Sequence, residues 1–140
     1  MKPSHTGFTL IELITVIVIL GILAAVALPK FVNLTQESVT ASVQSVAGAV
    51  GSGSAINFGA YTANSSKAGV TAVNTSTASC SVAFLSNFLR TGLTSDTGGI
   101  TYAGAGAQAC GAAGNSYNCT LTGTKGTVSA SATARVICTG

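Results

Sequence analysis

Charge is what this chain has least of. Six lysines and arginines and three acids serve 140 residues, tryptophan is missing, and a single histidine, His5, stands near the start. Each shortage excludes something. Nucleic-acid binders carry a basic stripe or patch, and no lysine or arginine cluster occurs here. Glu12, Glu37 and Asp96 are the only acids and lie far apart, so no carboxylate pair is set up for general acid–base work. Serine and threonine abound, yet none sits in a GxSxG setting. Gly104-Ala-Gly106 is a GxG fragment without a third glycine in register, which removes a phosphate-cradle reading. No C-x-x-C spacing occurs, so no metal site is expected. The expectation is a chain that is not an enzyme and takes no cofactor. It is not a disordered chain either, since disorder needs low hydrophobicity with high charge and 47% of these residues are hydrophobic.

What the chain does have is a long apolar run near its start. Residues 7 to 30 read Gly-Phe-Thr-Leu-Ile-Glu-Leu-Ile-Thr-Val-Ile-Val-Ile-Leu-Gly-Ile-Leu-Ala-Ala-Val-Ala-Leu-Pro-Lys, and from Leu13 to Leu28 only Thr15 is polar. A helix from Phe8 to Pro29 would be about 33 Å long at ~1.5 Å per residue, enough for a bilayer core of ~30 Å. Glu12 lies near its beginning. A carboxylate at membrane depth costs roughly 2.5–3.5 kcal/mol on insertion scales and usually has a partner, although at the headgroup boundary the cost is small. Cleavage after Gly7 would supply a partner: a new α-amino group on Phe8, four residues before Glu12. In a secretory signal the apolar region precedes the cut and is lost. Here it follows the cut and stays, with Lys2 as the positive cytoplasmic flank.

Gly7-Phe8-Thr9-Leu10-Ile11-Glu12 resembles the processing site of type IV pilins and the related pseudopilins, and the resemblance extends through Lys30. It implies that residues 1–7 are a leader removed by a prepilin peptidase and that the exposed Phe8 amine is N-methylated. It also implies that Glu12 guides assembly by pairing with the Phe8 amine of an adjacent subunit. Pro29 matches the proline that kinks the pilin helix; an interior proline costs about 3 kcal/mol or more if nothing relieves it. The implied fold is α+β, type IV pilin-like, with residues 8–29 as membrane-spanning or filament-core helix, 30–60 as its amphipathic continuation and 61–140 as a β-rich head. The implied partners are further copies of the chain, the inner membrane, the peptidase and a pilus assembly machine. The implied location is the inner membrane of a Gram-negative bacterium and then a surface filament. Leu28-Pro29-Lys30-Phe31 with Val32-Asn33-Leu34 is similar to mannose-sensitive haemagglutinin pilins, which favours an extracellular pilus for attachment or motility.

The residues beyond Pro29 carry their own signals. Val32, Val39, Val43, Val46 and Val50 recur at helical spacing with polar residues between, which predicts an amphipathic helix to about residue 60. Gly48, Gly51, Gly53 and Gly59 weaken its end by about 1 kcal/mol each relative to alanine. Residues 62–81 read as a surface connection. Phe84, Leu85, Phe88 and Leu89 predict a short helix within 82–90, closed by Gly92. A turn at 95–99 precedes a strand at Ile100 to Ala103, and 104–116 reads as a loop. Tyr117, Cys119 and Leu121 alternate with polar residues as a half-buried strand does. Gly123 to Gly126 marks a turn, and Val128, Ala130, Ala132, Ala134, Val136 and Cys138 fill one face of the clearest strand. A small antiparallel sheet laid on the amphipathic helix is expected.

Cys80, Cys110, Cys119 and Cys138 all follow the apolar run, and an even count on the non-cytoplasmic side predicts two disulfides with three possible pairings. The resemblance suggests Cys119–Cys138, since pilins often close a C-terminal loop with one bridge, which leaves Cys80–Cys110. A tight hairpin turning at Thr124-Lys125 gives another answer: it sets Cys138 opposite Gly111 and favours Cys110–Cys138. The expected pairing is the one that the resemblance implies.

Two function classes follow. One is a structural subunit, a major pilin whose N-terminal helices bundle into a filament core; a periplasmic pseudopilin of type II secretion shares the same N-terminus. Major pseudopilins typically carry an acidic calcium-binding loop, and the head here offers only Asp96. The other is a binding module, a minor adhesive pilin at a filament tip, for which the scattered Tyr61, Tyr102 and Tyr117 form no sugar-stacking platform.

Overall fold

The structure, a computed structural model, describes residues 7–74, 77–93, 96–106 and 109–140, without the side chains of residues 28–33. Pro29, the expected kink, therefore lies outside the described residues. The chain divides into two units, Met1–Thr35 and Gln36–Gly140. The elements in order are helix α1 (Leu10–Ala63), helix α2 (Val82–Leu85), a 3-10 turn at Ser86–Phe88, and strands β1 (Asp96–Thr97), β2 (Ile100–Ala105), β3 (Ser116–Lys125) and β4 (Val128–Ile137). This is an α+β arrangement.

In the first unit the described residues from Gly7 to Ala27 are all exposed. The apolar side chains point all round the helix instead of forming one stripe, so no single core face exists for them within the unit.

The second unit is built on the stripe that the valine spacing predicts. Val39, Val43, Ala47 and Val50 are buried, and the buried face continues through Ser54 and Asn57. Steps of three and four residues keep these side chains on one side of α1. They share a core with Ile100 and Tyr102 of β2, Tyr117, Cys119 and Leu121 of β3, and Ala134 and Val136 of β4. Each fully buried valine or leucine contributes about 1.5–3 kcal/mol of transfer free energy. The two polar residues of the stripe are satisfied locally. Ser54 Oγ accepts from the Ile137 amide at 2.7 Å, and Asn57 holds both sides of Thr71, donating to its carbonyl at 2.8 Å and accepting from its amide at 2.7 Å.

The four strands form one antiparallel meander in the order β1-β2-β3-β4. Two-residue loops join the outer pairs. Gly98 and Gly99, at φ 64° and 72°, turn β1 into β2, and Gly126, at φ 60°, begins the loop from β3 into β4. Both tight hairpin types need positive φ, which glycine adopts without a Cβ clash. Because that glycine is residue 126, Lys125 pairs with Val128 and Thr122 with Ser131. The turn expected at Thr124-Lys125 is therefore displaced: β3 runs straight through those residues, and every partner on β4 moves by four.

This register overturns the disulfide pairing that the resemblance implies. The bridges are Cys80–Cys119 and Cys110–Cys138, with Cα atoms 5.4 and 5.6 Å apart. Cys119 faces Ala134 across the ladder, whereas Cys138 lies four residues further along, about 14 Å away at ~3.4 Å per residue. A disulfide spans at most ~7 Å between Cα atoms, so Cys119–Cys138 is geometrically excluded. Cys80–Cys110 falls with it.

Smaller differences have local causes. The helix expected through residues 82–90 is one α turn capped by Ser81, whose hydroxyl accepts from the Phe84 amide, followed by the 3-10 turn. The Phe84 and Phe88 rings meet edge to face at 5.5 Å, an arrangement that aromatic quadrupoles favour. Strand β2 extends to Ala105, into the segment read as a loop, because Gly104 allows the Cys80 carbonyl to lie where a Cβ would stand.

Candidate functional site at the start of the first helix

The residues singled out by the sequence motif, Gly7, Phe8 and Glu12, come together at the head of α1. Helix α1 begins at Leu10, which makes Thr9 its N-cap. A helix leaves its first amide groups without intrahelical partners, and a hydroxyl followed three residues later by a glutamate can satisfy them reciprocally. Thr9-Leu10-Ile11-Glu12 does this. Glu12 Oε2 accepts from the Thr9 amide at 2.8 Å and from the Thr9 hydroxyl at 2.7 Å, and Thr9 Oγ1 accepts from the Glu12 amide at a longer 3.4 Å. The positive end of the helix dipole also favours an acid in this first turn.

Two consequences follow for the carboxylate. Oε2 is engaged and fixed in direction by Thr9. Oε1 has no hydrogen-bond partner among the described residues and remains open to a donor from outside the chain. Phe8 next to it is 85% exposed, and a Cβ placed on Gly7 would meet nothing within 4 Å. The Gly7–Phe8 bond thus stands clear of the rest of the described chain.

Behind this head, Leu10–Ala27 is long and apolar enough to cross a membrane, about 27 Å at ~1.5 Å per residue. Exposure of Leu10, Ile11, Ile17, Leu20, Ile22 and Leu23 runs from 57% to 75%. A monomer in water rarely presents a contiguous apolar patch beyond a few hundred Å². Such a surface calls for lipid or for the helices of other chains. Thr15, the one polar residue of this span after Glu12, donates to the Ile11 carbonyl at 2.7 Å and presents no free hydroxyl hydrogen.

The cysteines belong to the second unit and are all oxidised; Pro29 is outside the described residues. Thr9 is the functional residue to which the processing motif alone assigns no role: it orients Glu12, and Thr-x-x-Glu ahead of an apolar run is the signature of a capping box.

Residues 2–28 match the prokaryotic N-terminal methylation motif. Over 50 residues the chain is 58% identical to the type IV narrow pilus major component PilA5 of Thermus thermophilus, a match covering 36% of this chain and 43% of that protein. It is 48% identical over 48 residues to the type IV major fimbrial protein FimA of Dichelobacter nodosus, covering 34% of this chain and 31% of the other. The fimbrial protein of Neisseria meningitidis serogroup A is 41% identical over 75 residues, covering 50% of this chain and 43% of its own length. The chain thus spans less than half the length of these curated relatives. No solved structure matches it.

Proposed function

We propose that this chain, which carries the N-terminal segment of the type IV pilin family, is a major structural subunit of a type IV pilus. In this reading a prepilin peptidase cuts after Gly7, Phe8 becomes the N-methylated first residue, and Leu10–Ala27 holds the subunit in the inner membrane until assembly. Subunits then exchange lipid for one another's apolar helices in a filament that leaves the cell surface and serves attachment or motility.

The observation that carries the reading is the combination at the head of α1: an exposed Gly7–Phe8 bond, an oriented carboxylate with one free oxygen, and an apolar helix exposed on all sides. Glu12 Oε1 is the natural acceptor for the Phe8 ammonium of a neighbour. An apolar environment strengthens such a charge pair, and also raises the cost of leaving either charge alone. A neighbour at the wrong axial height would leave both unpaired, so the pair selects the register while apolar contact supplies the cohesion.

The test is to shear surface fibres from cells, image them, and measure the mass of their dominant protein. Abundant filaments made of a chain that begins at N-methyl-Phe8 and lacks four hydrogens for two disulfides support the reading. A mature chain confined to the envelope fraction, with no fibre containing it, replaces it with the periplasmic pseudopilin.

A further inference from the structure

Hydroxyl groups along α1 are used in two different ways. Thr15, Thr40 and Thr62 each turn back onto a carbonyl of the preceding turn, at 2.7, 2.8 and 2.9 Å. Ser38, Ser42 and Ser45 do not; among the described residues their hydroxyls have no hydrogen-bond partner. Steps of four and three residues put the three serines on one face of the helix, spread over about 10 Å. That face is one wall of a groove of about 570 Å³, and Gly98, Tyr102 and Lys125 stand on the other wall.

The second wall repeats the pattern of unused polar groups. Tyr102 is only 5% exposed, and its hydroxyl takes no partner among the described residues, yet the atom is not sealed from solvent. It therefore opens on the groove. Burial pushes the phenol above its ordinary pKa, which keeps it a neutral donor. The Lys125 chain passes over the β1–β2 turn, with Cε 3.9 Å from where a Gly99 Cβ would stand, and its ammonium makes no ion pair among the described residues. Neither Glu37 nor Asp96 is among the groove residues. Ala41, Val46 and Ile100 add an apolar strip, and Thr97 also lines the groove.

Tyr102 is the one nearly buried residue among these polar groups, and its hydroxyl, without a protein partner, is open to a partner from outside. Beside it stand the exposed or half-exposed hydroxyls of Ser38, Ser42 and Ser45 and the exposed Lys125 ammonium. Hydroxyls both donate and accept, which matches a ligand that does the same around a ring. The single cation matches a single anionic charge, and the apolar strip suits a C–H face. The groove volume lies within the ordinary range of small-molecule sites. A bound peptide strand would instead need a row of backbone amide and carbonyl partners, and the edge strand that reaches this groove, β1, is only two residues long. We propose that this groove binds an acidic saccharide, one sugar ring or two carrying a single carboxylate, with Lys125 on the carboxylate and Ser42, Ser45 and Tyr102 on the ring hydroxyls. The site goes beyond the filament reading.

The experiment is an NMR titration of the full chain in mild detergent with glucuronate, glucose and a short glutamate-rich peptide. Glucuronate is expected to shift signals of Ser42, Ser45, Tyr102 and Lys125, and glucose to bind about tenfold more weakly or not at all. Lys125→Gln should weaken glucuronate binding about tenfold, and Tyr102→Phe or Ser45→Ala about fivefold. Lys67→Gln, a cation outside the groove, should change nothing. Unperturbed groove signals, wild-type binding by folded Lys125→Gln and Ser45→Ala variants, or tighter binding of the peptide in the groove would each overturn the assignment. Ser45 is exposed on the helix, so its variant keeps the test valid if Tyr102→Phe disturbs the core.

Discussion

Three glycines on one helix should respond to the same substitution with opposite signs. Replacing glycine by alanine inside a helix stabilises by roughly 0.5–1 kcal/mol through backbone entropy. At Gly48 and Gly59 an added Cβ meets nothing within 4 Å, so that gain should appear undiminished. At Gly53 the Cβ would stand 1.9 Å from the Phe88 carbonyl oxygen, 2.8 Å from its carbon and 3.1 Å from the Phe88 Cβ. A carbon–oxygen contact normally settles at about 3.3 Å or more, so helix and 3-10 turn must separate by about 1.4 Å. Overpacking costs typically 1–3 kcal/mol and occasionally more, and here the obstacle is backbone and cannot swing aside. Taking about 3 kcal/mol for the clash against about 1 for the entropy gain leaves Gly53→Ala destabilised by about 2 kcal/mol, and about 3 below Gly48→Ala. For a unit of this size about 1 kcal/mol moves Tm by roughly 4–8 °C. Gly53→Ala should therefore melt roughly 8–16 °C lower, and Gly48→Ala and Gly59→Ala a few degrees higher, read by circular dichroism and by urea titration of the full chain in mild detergent. A Gly53→Ala protein as stable as the parent would refute the packing of the 3-10 turn on α1.

Glu12→Leu should leave cleavage after Gly7 intact while abolishing filaments, scored by electron microscopy and by the mass of the membrane-bound chain; normal filaments would end the register argument. Peptide mapping without reduction should recover Cys80 linked to Cys119 and Cys110 to Cys138, and loss of either bridge should cost about 3.6–3.9 kcal/mol by loop entropy over separations of 39 and 28 residues. Asn57→Ala strips two hydrogen bonds from Thr71 and leaves its backbone groups unpaired, so urea denaturation should show a loss of about 2–3 kcal/mol. Burial raises the phenol pKa of Tyr102 and Tyr117, so their neutral forms are favoured on folding. That contribution is whole below the unfolded value of ~10 and is lost as pH rises through the higher folded values. Stability should thus fall in the alkaline range, with two phenols titrating above ~10 by ultraviolet absorbance; both titrating normally in the folded protein would contradict their burial.

The parts of the fold that were legible in the sequence are those set by local periodicity. The spacing of Val39, Val43 and Val50 identified the buried face of α1, and the alternation from Val128 to Val136 identified β4 and its inward side. What stayed illegible was decided between elements. The β3–β4 register hung on which of Gly123 and Gly126 makes the turn. Gly123 instead sits within β3, where a Cβ would lie 2.4 Å from Val43 Cγ2, so its smallness serves helix packing and not chain reversal. The cysteine pairing did not turn on that choice: either register keeps Cys119 away from Cys138, and Cys110–Cys138, which the hairpin reading favoured over the resemblance, is the bridge formed. The glycines that should have weakened the end of α1 do not stop it before Ala63, because the closely approached Gly53 exchanges helix propensity for contact with Phe88. At the candidate site, Gly7, Phe8 and Glu12 were legible as a contiguous motif. Thr9 was legible as well, but only as a cap, and a cap is a statement about orphan amides and not about composition.

The cross-links between α1 and β4 have a temporal consequence. Gln36 reaches the Ser129 carbonyl, and Ser54 the Ile137 amide, across 93 and 83 residues of sequence. Valines of the helix are made early, and the strands that cover them come last. At roughly 5–20 residues per second, a nascent chain carries its uncovered valine face for about 4 to 19 s before β4 exists to close over it.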